Sequence, residues 1–166
     1  MVKNMKLRYV VLATILVASS VLVADEIEEQ IQAIAEHEFP NDKQMQKYIY
    51  KQQKSAYNYL LTVKDAEVKE IATSEHPNDF SMQQYIYDQQ LAAKRYMQSV
   101  NDEEVKKFSL REFPNDFSMQ KYTYDQQISA KAYMQEVDNE SAKSEAVKEF
   151  PNDYSMQKYT YERLAL

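Results

Sequence analysis

The side chains in this 166-residue chain most suited to recognition chemistry are glutamines and tyrosines set at fixed offsets. Gln46, Gln83, Gln120 and Gln157 are each followed four residues later by Tyr50, Tyr87, Tyr124 and Tyr161, and Gln53, Gln90 and Gln127 extend the row. A spacing of four puts each pair on one face of a helix. Amides and phenols donate and accept hydrogen bonds, and the phenol also offers a flat apolar ring. If exposed, such a row would bind an extended peptide or a glycan. If packed, the tyrosines fill space between neighbouring elements and the glutamines merely flank them. The types and spacing fit both arrangements.

Catalytic chemistry has far less to work with. His37 and His76 are the only imidazoles, and they occupy unrelated positions, so a structural or surface role is expected for each. Cysteine is absent, which removes disulfides, thiolate metal sites, cysteine nucleophiles and a lipidated N-terminal cysteine. Glycine is absent too, so no P-loop, dinucleotide-binding turn, nucleophile elbow or EF-hand can be built. The carboxylates Asp42, Asp79, Asp116 and Asp153 recur just before apolar-periodic segments, where they read as helix N-caps rather than ion ligands, with the preceding asparagine as the other candidate. No metal, no cofactor and no enzymatic activity are expected. A net charge of −6 and a pI near 5.0 also disfavour nucleic acid, whose phosphates need a basic surface.

The elements that would position these groups follow from one recurrence. All four prolines, Pro40, Pro77, Pro114 and Pro151, precede Asn-Asp and fall at a constant 37-residue interval, each opening a segment with Met, Gln, Tyr and Tyr at fixed offsets. A period of this size is the signature of a stacked array. Short helices are expected near 25–38, 65–75, 102–112 and 139–149, each ending where the residue before proline leaves the helical region. Long helices are expected near 42–63, 79–100, 116–137 and 153–166. The fold class is therefore all-α, a helical-hairpin repeat with alternating short and long arms, solenoid-like, spanning 25–166. With no glycine available, Asp or Asn at Asp65, Asp102 and Asn139 or just before them would adopt the left-handed conformation that closes each long helix and then cap the next short helix.

Turning the third long helix by about 100° per residue gives two apolar faces. Met119, Tyr122, Gln126, Ala130, Tyr133 and Val137 form the longer stripe and are expected in the core, with Gln126, Gln89 and Gln52 bonding a neighbouring unit. Phe117, Tyr124 and Ile128 lie opposite. The period and helix alternation resemble the tetratricopeptide- and Sel1-like solenoids in architecture. The glycines and tryptophan that those families place at set positions are missing here, so the chain is not assigned to them.

Residues 1–24 have a different character. Lys3, Lys6 and Arg8 precede sixteen uncharged residues ending in Ala24, followed by Asp25-Glu26. This is the pattern of a secretory signal, and the uncharged run falls short of the roughly 20 residues needed to span a bilayer. Removing those three basic residues would take the net charge from −6 to −9. The expectation is an exported, periplasmic or secreted monomer, without stable membrane insertion after cleavage. It would act as a non-catalytic binding or scaffold module for a protein, peptide or glycan through Gln46, Tyr50, Gln83, Tyr87, Gln120, Tyr124, Gln157 and Tyr161. The alternative is an acidic inhibitor steered onto a cationic enzyme.

Overall fold

Each Phe-Pro-Asn-Asp or His-Pro-Asn-Asp segment closes on itself. The amide of Asp42 donates to the carbonyl of Phe39 (3.2 Å), and Asp79, Asp116 and Asp153 donate likewise to His76, Phe113 and Phe150. Proline supplies the fixed φ that the second position of such a turn favours. The aspartate then caps the helix that follows: its carboxylate accepts from the amides of Met45, Met82, Met119 and Met156 at 3.0 Å in all four cases. The computed structural model describes residues 25–165, so the expected export signal at 1–24 lies outside the described residues, as does Leu166.

Among the described residues the protein is all-helical and has no strand. Residues 25–38 form α1; then come α2 (Lys43–Thr62), α3 (Ala66–Glu75), α4 (Phe80–Ser99), α5 (Glu103–Glu112), α6 (Phe117–Glu136), α7 (Glu140–Glu149) and α8 (Tyr154–Leu164). No described helix is long and apolar enough to cross a membrane.

The long helices end without a left-handed residue. Val63 and Val137 adopt extended conformations, and no described residue has positive φ. The expected left-handed conformation near Asp65, Asp102 and Asn139 is thus corrected, while their expected capping of the next short helix is observed. Their side chains accept from the amides of Val68, Val105 and Ala142 at 3.1 Å, and the extended valine supplies the change of direction.

The chain divides into two compact units. Of the described residues, one comprises 25–64 together with Thr73–Gln84, and the other Asp65–Ala72 and 85–165. In the second unit α6 packs on α8, α5 on α6 and α7 on α8. Met97, Val105 and Tyr124 form one buried cluster there, and Met134, Ala142, Ala146 and Tyr161 form another. In the first unit Ile31 and Ala35 of α1 and Ala56 and Leu60 of α2 are buried, and Tyr57 meets Phe80 edge-on at 5.1 Å.

The buried face of α6 is Phe117, Gln120, Tyr124, Gln127, Ala130 and Met134. Two members of the stripe expected in the core face water instead: Tyr122 is 58 % exposed and Gln126 is exposed, while Ala130 is buried and Met119, Tyr133 and Val137 are half-buried, the last two against a core cluster. The reason is that two glutamines on the buried face have obligatory partners inside, which a hydrophobic count does not register. Gln90 Nε2 donates to Asp116 Oδ1 at 2.9 Å, and its Oε1 accepts from the amide of Ser118. Gln127 does the same with Asp153 (2.7 Å) and the amide of Tyr154 (2.7 Å), and Gln53 with Asp79 (2.8 Å) and the amide of Ser81. One amide thereby completes the N-terminus of the following long helix, satisfying donors that the helix cannot satisfy itself.

Truncating such an amide leaves a buried N–H and a capping carboxylate short of a partner, at about 1–3 kcal/mol. Gln127→Ala is therefore expected to lower the urea stability by about 1–3 kcal/mol, and Gln126→Ala to stay within about 0.5 kcal/mol of wild type. Equal stability of the two variants in urea melts followed by circular dichroism would contradict the assignment of the buried face.

Candidate functional site

The glutamines of the sequence-derived row are not available to a ligand. Gln46, Gln83, Gln120 and Gln157 are at most 4 % exposed. Each donates Nε2 to the carbonyl seven residues earlier, on Phe39, His76, Phe113 and Phe150, at 2.6–2.7 Å. That carbonyl belongs to the residue before proline, where the short helix has ended and the next residue carries no N–H. The amide thus seals the corner between short and long helix. Tyr87, Tyr124 and Tyr161 are buried as well, and their hydroxyls accept from the amides of Asp65, Asp102 and Asn139 (3.3–3.4 Å). Tyr50 is half-buried and donates to Glu28. The expected ladder of amides and phenols is therefore corrected: seven of these residues build corners and caps, and Tyr50 bonds the Glu28 side chain of α1.

Two lysines on the long helices are held by the starts of the short ones. Lys94 reaches Asp65 (2.9 Å) and Glu67 (2.7 Å), with its ammonium 5.0 Å from the Phe117 ring centre. Lys131 reaches Asp102 (2.8 Å) and Glu104 (3.2 Å) over the ring of Tyr154, whose hydroxyl also donates to Glu104. The Lys94 hydrogen bond holds the Asp65 carboxyl below its usual range, and that of Lys131 does so for Asp102. Lys94 is raised by Glu67 and then Asp65, and Lys131 is raised by Asp102. Tyr96 donates to Asp125 at 2.5 Å, which pushes its phenol up to about 12. Burial works to raise Asp125, but hydrogen bonds from Lys121 and Tyr96 hold it low.

What the surface does present is a different row of the same residue types. In the second unit Tyr85, Tyr122 and Tyr159 stand 57–60 % exposed on α4, α6 and α8, and Gln89 and Gln126 follow four residues after the first two, also exposed. In the first unit Tyr48 and Gln52 hold the corresponding positions on α2 and are exposed. Where α6 meets α8, Gln126, Ser129, Ser155, Lys158, Tyr159 and Glu162 line a largely polar groove of about 240 Å³. The signal that separates the two rows was in the sequence. The buried glutamines stand seven and fourteen residues after the residue that precedes each proline, close to two and four helical turns, whereas the exposed ones stand thirteen after it.

The remaining candidates carry no comparable constellation. Among the described residues no group of three or more His, Asp or Glu side chains is placed to hold a metal ion. His76 offers its backbone carbonyl to Gln83, and His37 borders a shallow recess of about 300 Å³ in the first unit with Ile34 and Asn78. No family model, no curated protein and no solved structure matches the chain.

The lowered pKa values of Asp65 and Asp102 fix the sign of an acid effect. A carboxyl depressed in the folded state contributes stability above its unfolded value of about 3.9, and that contribution disappears as pH falls through the depressed value. The urea midpoint is expected to fall below about pH 4, and Asp102→Asn is expected to flatten that fall. An unaltered slope in the variant would show that Lys131 contributes nothing through this pair.

Proposed function

We propose that the protein is an exported, non-catalytic helical-hairpin array, solenoid-like with a 37-residue period, that binds an extended partner outside the cytoplasm. The observation that carries this reading is the exposure of Tyr85, Tyr122 and Tyr159 at equivalent positions of three helices in one unit, each about three-fifths accessible. Large aromatic rings are expensive to leave in water, and a set of them displayed by successive elements suits a ligand that runs across those elements. The recurrence of the Gln-to-Asp and Gln-to-carbonyl bonds at 37-residue intervals supports the array. Arrays of this kind present extended surfaces for protein, peptide or glycan. The row itself is a scaffold of single-point contacts, with nothing that would break a bond in the partner.

The experiment is a retention assay with the chain from Asp25 immobilised and the native envelope or culture fluid passed over it. The wild type is compared with Tyr85→Ala/Tyr122→Ala/Tyr159→Ala, a variant expected to keep its helicity because all three rings are exposed. Retention of a partner by the wild type and its loss in the variant is the expected result. Equal retention by both, or none by either, contradicts the reading.

A further inference from the structure

The groove where α6 meets α8 contains an exposed ring (Tyr159), a planar amide (Gln126), two hydroxyls (Ser129, Ser155) and an ion pair of Lys158 with Glu162 at 3.9 Å. Similar residues stand one long helix earlier: Tyr122, Gln89, Ser118 and the pair Lys121–Asp125 at 2.7 Å, with Ala92 in the place of Ser129 and Asp125 in that of Glu162. Both lysines are drawn over rings of the preceding long helix, Lys121 over Tyr96 (4.7 Å) and Lys158 over Tyr133 (4.8 Å). Each set therefore holds its cation close to its own anion and carries no net charge.

We infer that this pair of sites binds a neutral linear polysaccharide, one segment of the chain per site. The inference rests on the proposed reading of the tyrosine row and specifies its ligand. Three features select this chemistry. Similar sites on successive helices call for a ligand whose own groups recur, which a polysaccharide supplies by construction and an ordinary polypeptide does not. The mixture of donors and acceptors around one exposed ring matches a sugar, which has a face of C–H bonds and a rim of hydroxyls; the ring takes the face, and amide, serine and carboxylate take the rim. The internally neutral sites, in a chain of net charge −6, offer nothing to an anionic polymer. Packed helices run about 8–10 Å apart, so one chain long enough to cross both can occupy both. Occupying the second site then becomes an intramolecular event and raises the apparent affinity.

The test is calorimetry and affinity electrophoresis of the full exported chain with soluble probes: a linear β-glucan, a xylan, chitin oligomers from dimer to hexamer, and an anionic control, alginate. At least one neutral polymer is expected to bind, with affinity rising at least about tenfold from the dimer to the longest oligomer. Binding should change little between about 0.05 M and 0.5 M salt. Tyr122→Ala and Tyr159→Ala should each weaken it by about tenfold, whereas Lys107→Ala, on an exposed position of α5, should leave it unchanged. Binding that prefers alginate or collapses with salt overturns the inference, as does binding indifferent to both tyrosines. Tyrosine-dependent retention of a protease-sensitive, glycosidase-resistant partner from native extract, with no neutral polymer bound, also overturns it and leaves the proposed binding role standing.

Discussion

A buried glutamine amide that satisfies a helix end is the constraint on which the rest of this structure depends. Gln53, Gln90 and Gln127 each reach from one long helix to the capping aspartate of the next and also accept from a backbone amide in its first turn. Gln46, Gln83, Gln120 and Gln157 give the carbonyl before each proline a second hydrogen bond, beside the one from the aspartate amide three residues on. Burying an amide without partners would cost more than it returns. Gln53, Gln90 and Gln127, bonded at both amide ends, fix the rotation of the long helices about their own axes, because turning a helix would orphan several polar groups together; Gln120 is held through Nε2 alone, its buried Oε1 having no partner. Apolar contacts alone would permit more than one rotation, since the long helices carry apolar side chains on two sides.

That rotation decides what faces water. With glutamines 120 and 127 inside, Tyr124 is carried inward to bond the start of α5, and Tyr122 and Gln126 are carried out. The lysines follow the same logic: Lys94 and Lys131 lie at the edge of the buried face and are held by carboxylates at the starts of the short helices. A surface of exposed phenols is thus a by-product of how the interior is satisfied, and it recurs at equivalent positions because the interior solution recurs. Rigidity follows as well. Side chains displayed on capped, bonded helices lose little further freedom when a partner arrives.

Much of the local structure was legible in the sequence. The Pro-Asn-Asp segments marked the turns, the following aspartates marked the N-caps, and the valine-ended segments marked where long helices stop. The choice of inward face was not. Periodicity groups Tyr122 and Gln126 with Ala130 on one stripe, yet Gln120 and Gln127 take the inner positions beside Phe117, Tyr124, Ala130 and Met134. Hydrophobic periodicity treats a glutamine as a vote for solvent, and only its hydrogen-bond partners, 7 residues back or 26 residues ahead, reverse that vote. The left-handed helix ends failed for a related reason. The absence of glycine suggested a substitute for its conformation, while the chain uses an extended valine and needs no substitute. The same rotation buries most of the expected row of amides and phenols and leaves a different set four apart exposed, Tyr85 with Gln89 and Tyr122 with Gln126.

The most direct measurement is a double-mutant cycle between Gln127 and Asp153, using Gln127→Ala, Asp153→Ala and the pair, each unfolded in urea. The single change at Asp153 removes the cap to Met156 as well as the bond from Gln127, and the cycle isolates the shared part. If the amide bridge sets the rotation of α6 and α8, the two losses are coupled by about 0.5–3 kcal/mol. Strict additivity would mean that the bridge contributes nothing of its own, and that the inner face is chosen by packing alone.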